Sequence, residues 1–212
     1  MMARSAVEVL MRPCAIVAVA LLVAVVSSAS PAVAQHTANL KGPYKAADTP
    51  DELKPALERA QKAFAEFQQR LETRMKEETA RGGQPAAYAV YRDEASSITA
   101  ELGRRYSGRF GRTSDRLRDA RNAPPQWAKD LVAKAATPAT KDTSTWVVPI
   151  GTNVGVLAPL DTREGCILCH GPIPAIPPDT AAKIRVTYPG DRATGYEVGQ
   201  LRGWIWAEIP RR

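Results

Sequence analysis

Cys166, Cys169 and His170 stand in the string Cys166-Ile167-Leu168-Cys169-His170. Two thiols one helical turn apart can add to the two vinyl groups on one edge of a porphyrin. A histidine directly after the second thiol can then turn its imidazole onto the iron. C-x-x-C-H is therefore the attachment signature of c-type haem, and it implies one covalent haem c with His170 as proximal metal ligand. Other chemistries use part of the string. A thioredoxin-like dithiol wants a βαβ setting, which the flanking sequence does not offer. A structural zinc site needs four ligands, and only His36 or carboxylates remain to complete it. A plain disulfide or a chance match is the remaining alternative.

The sixth position on the iron separates an electron carrier from a ligand binder. No methionine follows Cys169, and Met75 is the only one beyond the first 34 residues. His36 is the only spare imidazole, close to the start of the exported chain. Tyr91 is the third candidate metal ligand, although composition alone makes it a core aromatic with its hydroxyl at the edge. These candidates stay open at this stage.

The elements that must position such a group begin after an address. Arg4 and Arg12 flank a charged start, Cys14 to Val26 is a run of thirteen apolar residues, and Ala32 and Ala34 precede Gln35 in small-x-small positions. That is the three-part pattern of a secretory signal peptide over 1–34. The apolar run is shorter than the roughly 20 residues of a membrane span. Export to the periplasm follows, and it leaves Cys166 and Cys169 as the only cysteines of the mature chain. The full chain has 212 residues and a formal charge of +7, with 44% apolar residues, which excludes wholesale disorder. Three cysteines cannot build a disulfide scaffold, and two histidines cannot serve a multi-haem protein.

Residues 35–47 read as a flexible lead-in to a domain over 48–212. Thr49-Pro50-Asp51-Glu52 has the form of a capped helix start, although Pro55 can move that start later. Leu53, Leu57, Ala60, Phe64, Phe67, Leu71 and Met75 then form one apolar stripe, for core packing or for a coiled-coil dimer, on a helix ending at Gly82-Gly83. A second helix runs from Pro85 to about Tyr106 with Ala87, Val90, Tyr91, Ile98 and Leu102 on one side. Arg104 to Arg121 carries seven arginines and few apolar residues. A third helix follows Asn122-Ala123-Pro124-Pro125. Thr145 to Ile150 and Val154 to Leu157 read as a hairpin, Pro178 to Val186 as a short helix, and Gly203 to Ile209 as a closing strand. Long helices first and antiparallel strands later indicate an α+β fold.

Several segments together resemble a family of PAS-like, single-haem c-type proteins that occur as stand-alone exported haem proteins and as sensor modules of histidine kinases. They are Gly83-Gln84-Pro85-Ala86-Ala87-Tyr88-Ala89-Val90-Tyr91, Arg112-Thr113-Ser114 to Arg118, Arg121-Asn122-Ala123-Pro124 with Trp127, Cys169-His170-Gly171, Tyr188-Pro189-Gly190-Asp191 to Gly195 and Gly199, and Arg202-Gly203-Trp204. The resemblance implies a PAS-like α+β fold, long N-terminal helices on a small antiparallel sheet around one haem, and a redox or small-ligand sensing role. In the family's structurally known members a cysteine on the second helix is the distal ligand. Tyr91 occupies the matching place here. That departure leaves phenolate ligation by Tyr91, another ligand, or an open or water-filled site.

Arg112, Arg116 and Arg118 can pair with haem propionates, since guanidinium binds carboxylates bidentately. A solvated basic face is the plainer alternative for each. Thr113, Ser114 and Asn122 read as turn and cap residues. Trp127, Trp146, Trp204 and Trp206 read as core or haem-wall residues rather than an electron path. Export argues against nucleic acid as the partner of the arginine run and favours an acidic redox or signalling protein. The expected function is redox or diatomic-gas sensing, with a periplasmic electron-transfer cytochrome as the alternative. Catalysis is not expected, because a distal acid–base pair would be needed and there is no distal histidine.

Overall fold

The computed structural model describes residues 40–136 and 143–212. The residues read as a signal peptide, Cys14 among them, and His36 lie outside the described residues.

Strand β1 (Tyr44–Lys45) precedes helix α1 (Lys54–Asp93), α2 (Ala95–Arg105) and strand β2 (Arg109–Thr113). Then come α3 (Lys129–Ala135), the hairpin β3 (Trp146–Ile150) and β4 (Asn153–Asp161), α4 (Glu164–His170), α5 (Pro178–Thr187) and β5 (Leu201–Pro210). The five strands form one antiparallel sheet in the order β1-β3-β4-β5-β2. The α+β architecture expected from the sequence is the one observed.

The apolar stripe of α1 is spent inside the molecule. Leu53, Leu57, Phe64, Phe67 and Leu71 are buried against Val147, Val154, Val156, Ile205, Ala207 and Ile209, which alternate along β3, β4 and β5 on one sheet face. The coiled-coil alternative therefore lacks a free stripe. The long helix breaks at Gly82–Gly83, where Gly83 has φ +68°, a conformation that costs glycine nothing and strains any residue with a Cβ. The chain folds back on itself there. Arg74 grips the Glu94 carboxylate with Nε and Nη2 at 2.9 and 2.8 Å, Arg70 reaches Glu101 at 2.6 Å, and Arg105 pairs with Glu66. These rungs run antiparallel, and because they are exposed they align the helices more than they stabilise them.

The opposite sheet face is covered by α3 and the turn before it. Ala128 and Val132 pack on Leu157 and Trp204, with Trp127, Trp146 and Trp206 around them. Three details differ from the sequence reading. Tyr44–Lys45, assigned to the flexible lead-in, pair with β3, so the compact unit starts before Asp48. Thr49 does not cap α1: its hydroxyl donates to the Lys45 carbonyl at 3.2 Å, a 3-10 turn over Asp51–Leu53 intervenes, and α1 opens at Lys54 with Pro55 in its first turn. The arginine run contains β2, an edge strand whose cations lie over aromatic rings, with Arg109 above Trp206 at 6.0 Å.

Ile209 is fully buried between sheet and helix. Ile209→Ala is expected to lower stability by about 2–5 kcal/mol through lost burial and the cavity left behind. Urea denaturation should show this as a reduced midpoint at an unchanged slope.

Candidate functional site

Helix α4 is a short spur that leaves the end of β4 and carries the C-x-x-C-H string. Cys166 and Cys169 lie one turn apart on it, neither in a disulfide, and His170 is its last residue. The chain must turn tightly after it. A Cβ on Gly171 would stand 2.5 Å from the Ile167 side chain and 2.7 Å from its carbonyl, so glycine is required there. The loop after α5 then docks on the end of the spur, with Tyr196 N donating to His170 O at 2.9 Å and Gly195 N to Gly171 O at 2.7 Å.

That loop also orients the imidazole. His170 Nδ1 donates to the Ala193 carbonyl at 2.7 Å, leaving Nε2 as the nitrogen with a free lone pair. Burial, then the Arg202 and Arg118 cations, hold the imidazole pKa well below its ordinary value, against the opposing pull of the Ala193 hydrogen bond. His170 is therefore neutral, the form that binds a metal. Burial pushes the Cys169 thiol up, with Arg118 pulling the other way.

Arg118 holds this arrangement together. Its Nε donates to Asp191 Oδ2 at 3.1 Å, and its Nη2 donates to the Cys169 carbonyl at 2.5 Å and the Ala193 carbonyl at 3.3 Å. Asp191 Oδ1 accepts from Ala193 N at 2.8 Å. The solvated-face alternative fails for Arg118, whose side chain is 14% exposed. Two of its nitrogens are already spent on protein partners, which leaves less of it for a propionate than the sequence reading assumed.

The spur forms one wall of a cavity of about 540 Å³, within the range of cofactor sites, roughly 300–1,000 Å³. Phe67, Leu71 and Met75 of α1 supply apolar lining, and Tyr91 and Arg112 line it as well. The cavity thus gathers Cys166, Cys169, His170, Tyr91, Arg112 and Arg118, together with Met75 and Arg116, while His36 lies outside the described residues. Arg112 lies over the Tyr91 ring with its guanidinium carbon 4.7 Å from the centroid. Burial alone would raise the Tyr91 pKa, but the Arg202 and Arg112 cations outweigh it and hold the phenol below its ordinary range. Arg116 lies 4.1 Å over the Tyr196 ring and donates to the Arg192 carbonyl at 3.1 Å. Ser114 makes a turn as expected, accepting from Arg116 N at 3.1 Å. None of the four tryptophans lines the cavity; they are core residues.

Arg202 is the residue that sequence reasoning passed over. Asp161 pairs with Leu201 while Leu160 pairs with Gly203, so Arg202 is the extra residue of a β-bulge. A bulge re-aims side chains. Leu201 joins the tryptophan cluster on one face, and Arg202 lines the cavity on the other. Its Nε is buried without a partner, as is the hydroxyl of Tyr88 in the same lining. Orphaned donors beside a neutral histidine and two thiols fit a cavity built for an anionic, metal-bearing group. Among the described residues no group of three or more His, Cys, Asp and Glu side chains could hold a metal ion, and His36, a ligand the zinc alternative calls on, lies outside them.

Arg118→Gln should cost about 1.5–3 kcal/mol, the range for hydrogen bonds to charged groups. Combining it with Asp191→Asn should cost less than the sum of the two single changes in a urea double-mutant cycle, because the two act as a unit.

Comparison with known proteins bears on the same segments. No curated protein matches the chain. Among solved structures, the crystal structure of the cyanobacterial heme-protein Tll0287 aligns at a TM-score of 0.53 and 20% identity, covering 77% of this chain and 98% of that one; at this identity the likeness is one of fold. The family model named Tll0287-like, described as Tll0287, matches residues 22–210, from before β1 to the end of β5 and through every wall of the cavity. On that span the chain belongs to the Tll0287-like family.

Proposed function

We propose that the cavity holds one haem, joined by thioether bonds to Cys166 and Cys169 and ligated by His170 Nε2, and that the protein uses it to sense redox state or a small ligand. The observation that carries this reading is the convergence of both thiols and a neutral, Nδ1-anchored imidazole on one wall of a cavity sized for a cofactor. The heme-protein named among the fold relatives supports it further. When bound, the group supplies an iron that changes oxidation state and takes small ligands. The chain's own part is to place the thiols on one spur, to fix the imidazole through Ala193 and to surround the group with apolar α1 side chains. Tyr91 and the arginines govern what can approach.

The signal-peptide pattern over 1–34 supports a periplasmic site of action, and the positive charge supports docking to an acidic redox or signalling protein. No helix among the described residues is long and apolar enough to cross a membrane. One observation favours the electron-carrier reading instead. Met75 lines the same cavity as Tyr91, which puts a thioether within the set of possible strong sixth ligands.

Protein matured with its cofactor should keep haem colour on a denaturing gel, and Cys166→Ser/Cys169→Ser should lose it. Haem that leaves the wild-type chain on denaturation would overturn covalent attachment. Ferrous protein should turn to a carbonyl spectrum under CO. A low-spin ferrous form that ignores CO would instead establish a firm sixth ligand and an electron carrier, with Tyr91→Phe and Met75→Leu identifying which residue supplies it.

A further inference from the structure

Seven arginines line the cavity. Four of them hold carboxylates: Arg92 with Asp93, Arg118 with Asp191, Arg121 with Asp119 and Arg163 with Glu72. Arg116 is spent on the Arg192 carbonyl and the Tyr196 ring. Arg112 and Arg202 are different. Among the described residues neither forms an ion pair, although a guanidinium stays charged in any protein environment. Both act on the same residue: Arg112 lies over the Tyr91 ring at 4.7 Å, and the Arg202 and Arg112 cations together hold the Tyr91 phenol below its ordinary range. The bulge in β5 delivers Arg202 to this side of the sheet with Nε buried and unpartnered. Two converging cations without a facing carboxylate make a site that is complete only with a negative charge in it.

We propose that Arg112 and Arg202 form a binding site for a small anion against Tyr91 inside the cavity. The proposal rests on the haem reading only in setting the anion beside the cofactor. It also separates two sources of negative charge. The propionates of a haem are one such source in this cavity, and a free small anion is the other. The anion proposed for Arg112 and Arg202 is a separate molecule, and the experiment distinguishes it from the propionates. Linear or planar anions such as azide, nitrite or formate match two guanidinium forks flanking an aromatic ring.

The test is an azide titration of the matured, full-length ferric protein, read by calorimetry and by the rise in melting temperature. It is repeated with Arg202→Gln, Arg112→Gln and the charge-keeping Arg202→Lys. Wild type should bind azide, and each Gln variant should bind it about tenfold more weakly or worse, the loss expected for one charge-assisted hydrogen bond. Arg202→Lys should retain most of the affinity. Haem content is measured separately by the alkaline pyridine spectrum. If that spectrum shows no haem, the function proposed above fails while the melting-temperature arm still reads the arginine pair. Arg112→Gln keeps the test open if Arg202→Gln does not fold. Wild type that fails to bind azide, or equal affinity in wild type and both Gln variants, would overturn the proposal. A shifted reduction potential or weaker haem retention with unchanged azide affinity would also overturn it, assigning the arginines to the propionates.

Discussion

Arg118 touches both pieces of backbone that surround His170. It donates to the carbonyl of Cys169, immediately before the histidine, and to the carbonyl of Ala193, which accepts the imidazole Nδ1–H. Its third bond, to Asp191, fixes the loop that carries Ala193. Helix α4 has only seven residues and buries none of them completely, so packing alone cannot set its angle to the rest of the molecule. A short spur of this kind would fray without outside partners. The guanidinium substitutes for the missing packing, tying the spur to a loop more than twenty residues later in the chain. The direction of the imidazole, and with it the meaning of the cavity, depends on that junction.

The sheet divides the molecule into two unlike halves. On the face toward α1 and the cavity, apolar packing gives way to arginines near the ends of β2 and β5. On the other face lie the four tryptophans and α3, with no part in the cavity. Structural and chemical functions are thus segregated by a single layer, and the period-two alternation of β4 and β5 is what sorts residues between them. The cavity side has the higher electrostatic cost. Its charged groups are tolerable because most arginines there already have a carboxylate or carbonyl partner.

Much of this could be read from the residues. The C-x-x-C-H string, the apolar stripe, the glycine pair that turns the long helix, the hairpin and the closing strand all have local signatures, and all appear where those signatures lie. Tyr91 came forward only through the family resemblance, since composition alone made it a core aromatic. What escaped was non-local. Strand β2 shows no apolar alternation because Arg109 and Arg112 cover aromatic rings as an apolar residue would. The Arg118–Asp191 pair joins residues far apart in the chain, and no spacing rule reaches that distance. Arg202 was hidden for a different reason: counting by twos along β5 places it with the tryptophans, and only the bulge moves it.

The bulge has a consequence for how the chain can change over evolutionary time. Beyond it, toward Pro210, the strand keeps one assignment of odd and even positions to the two faces, and before it the assignment is exchanged. A point mutation at Arg202 would alter one side chain. A residue inserted between Leu160 and Asp161 on β4 would instead close the bulge and swap Leu201 and Arg202 across the sheet, sending an apolar residue into the cavity and a cation into the tryptophan cluster. Substitution and length change are therefore unequal at this spot. Lineages should vary the residue types here more freely than the residue number, and an alignment that closes the gap by one place would compare the wrong faces.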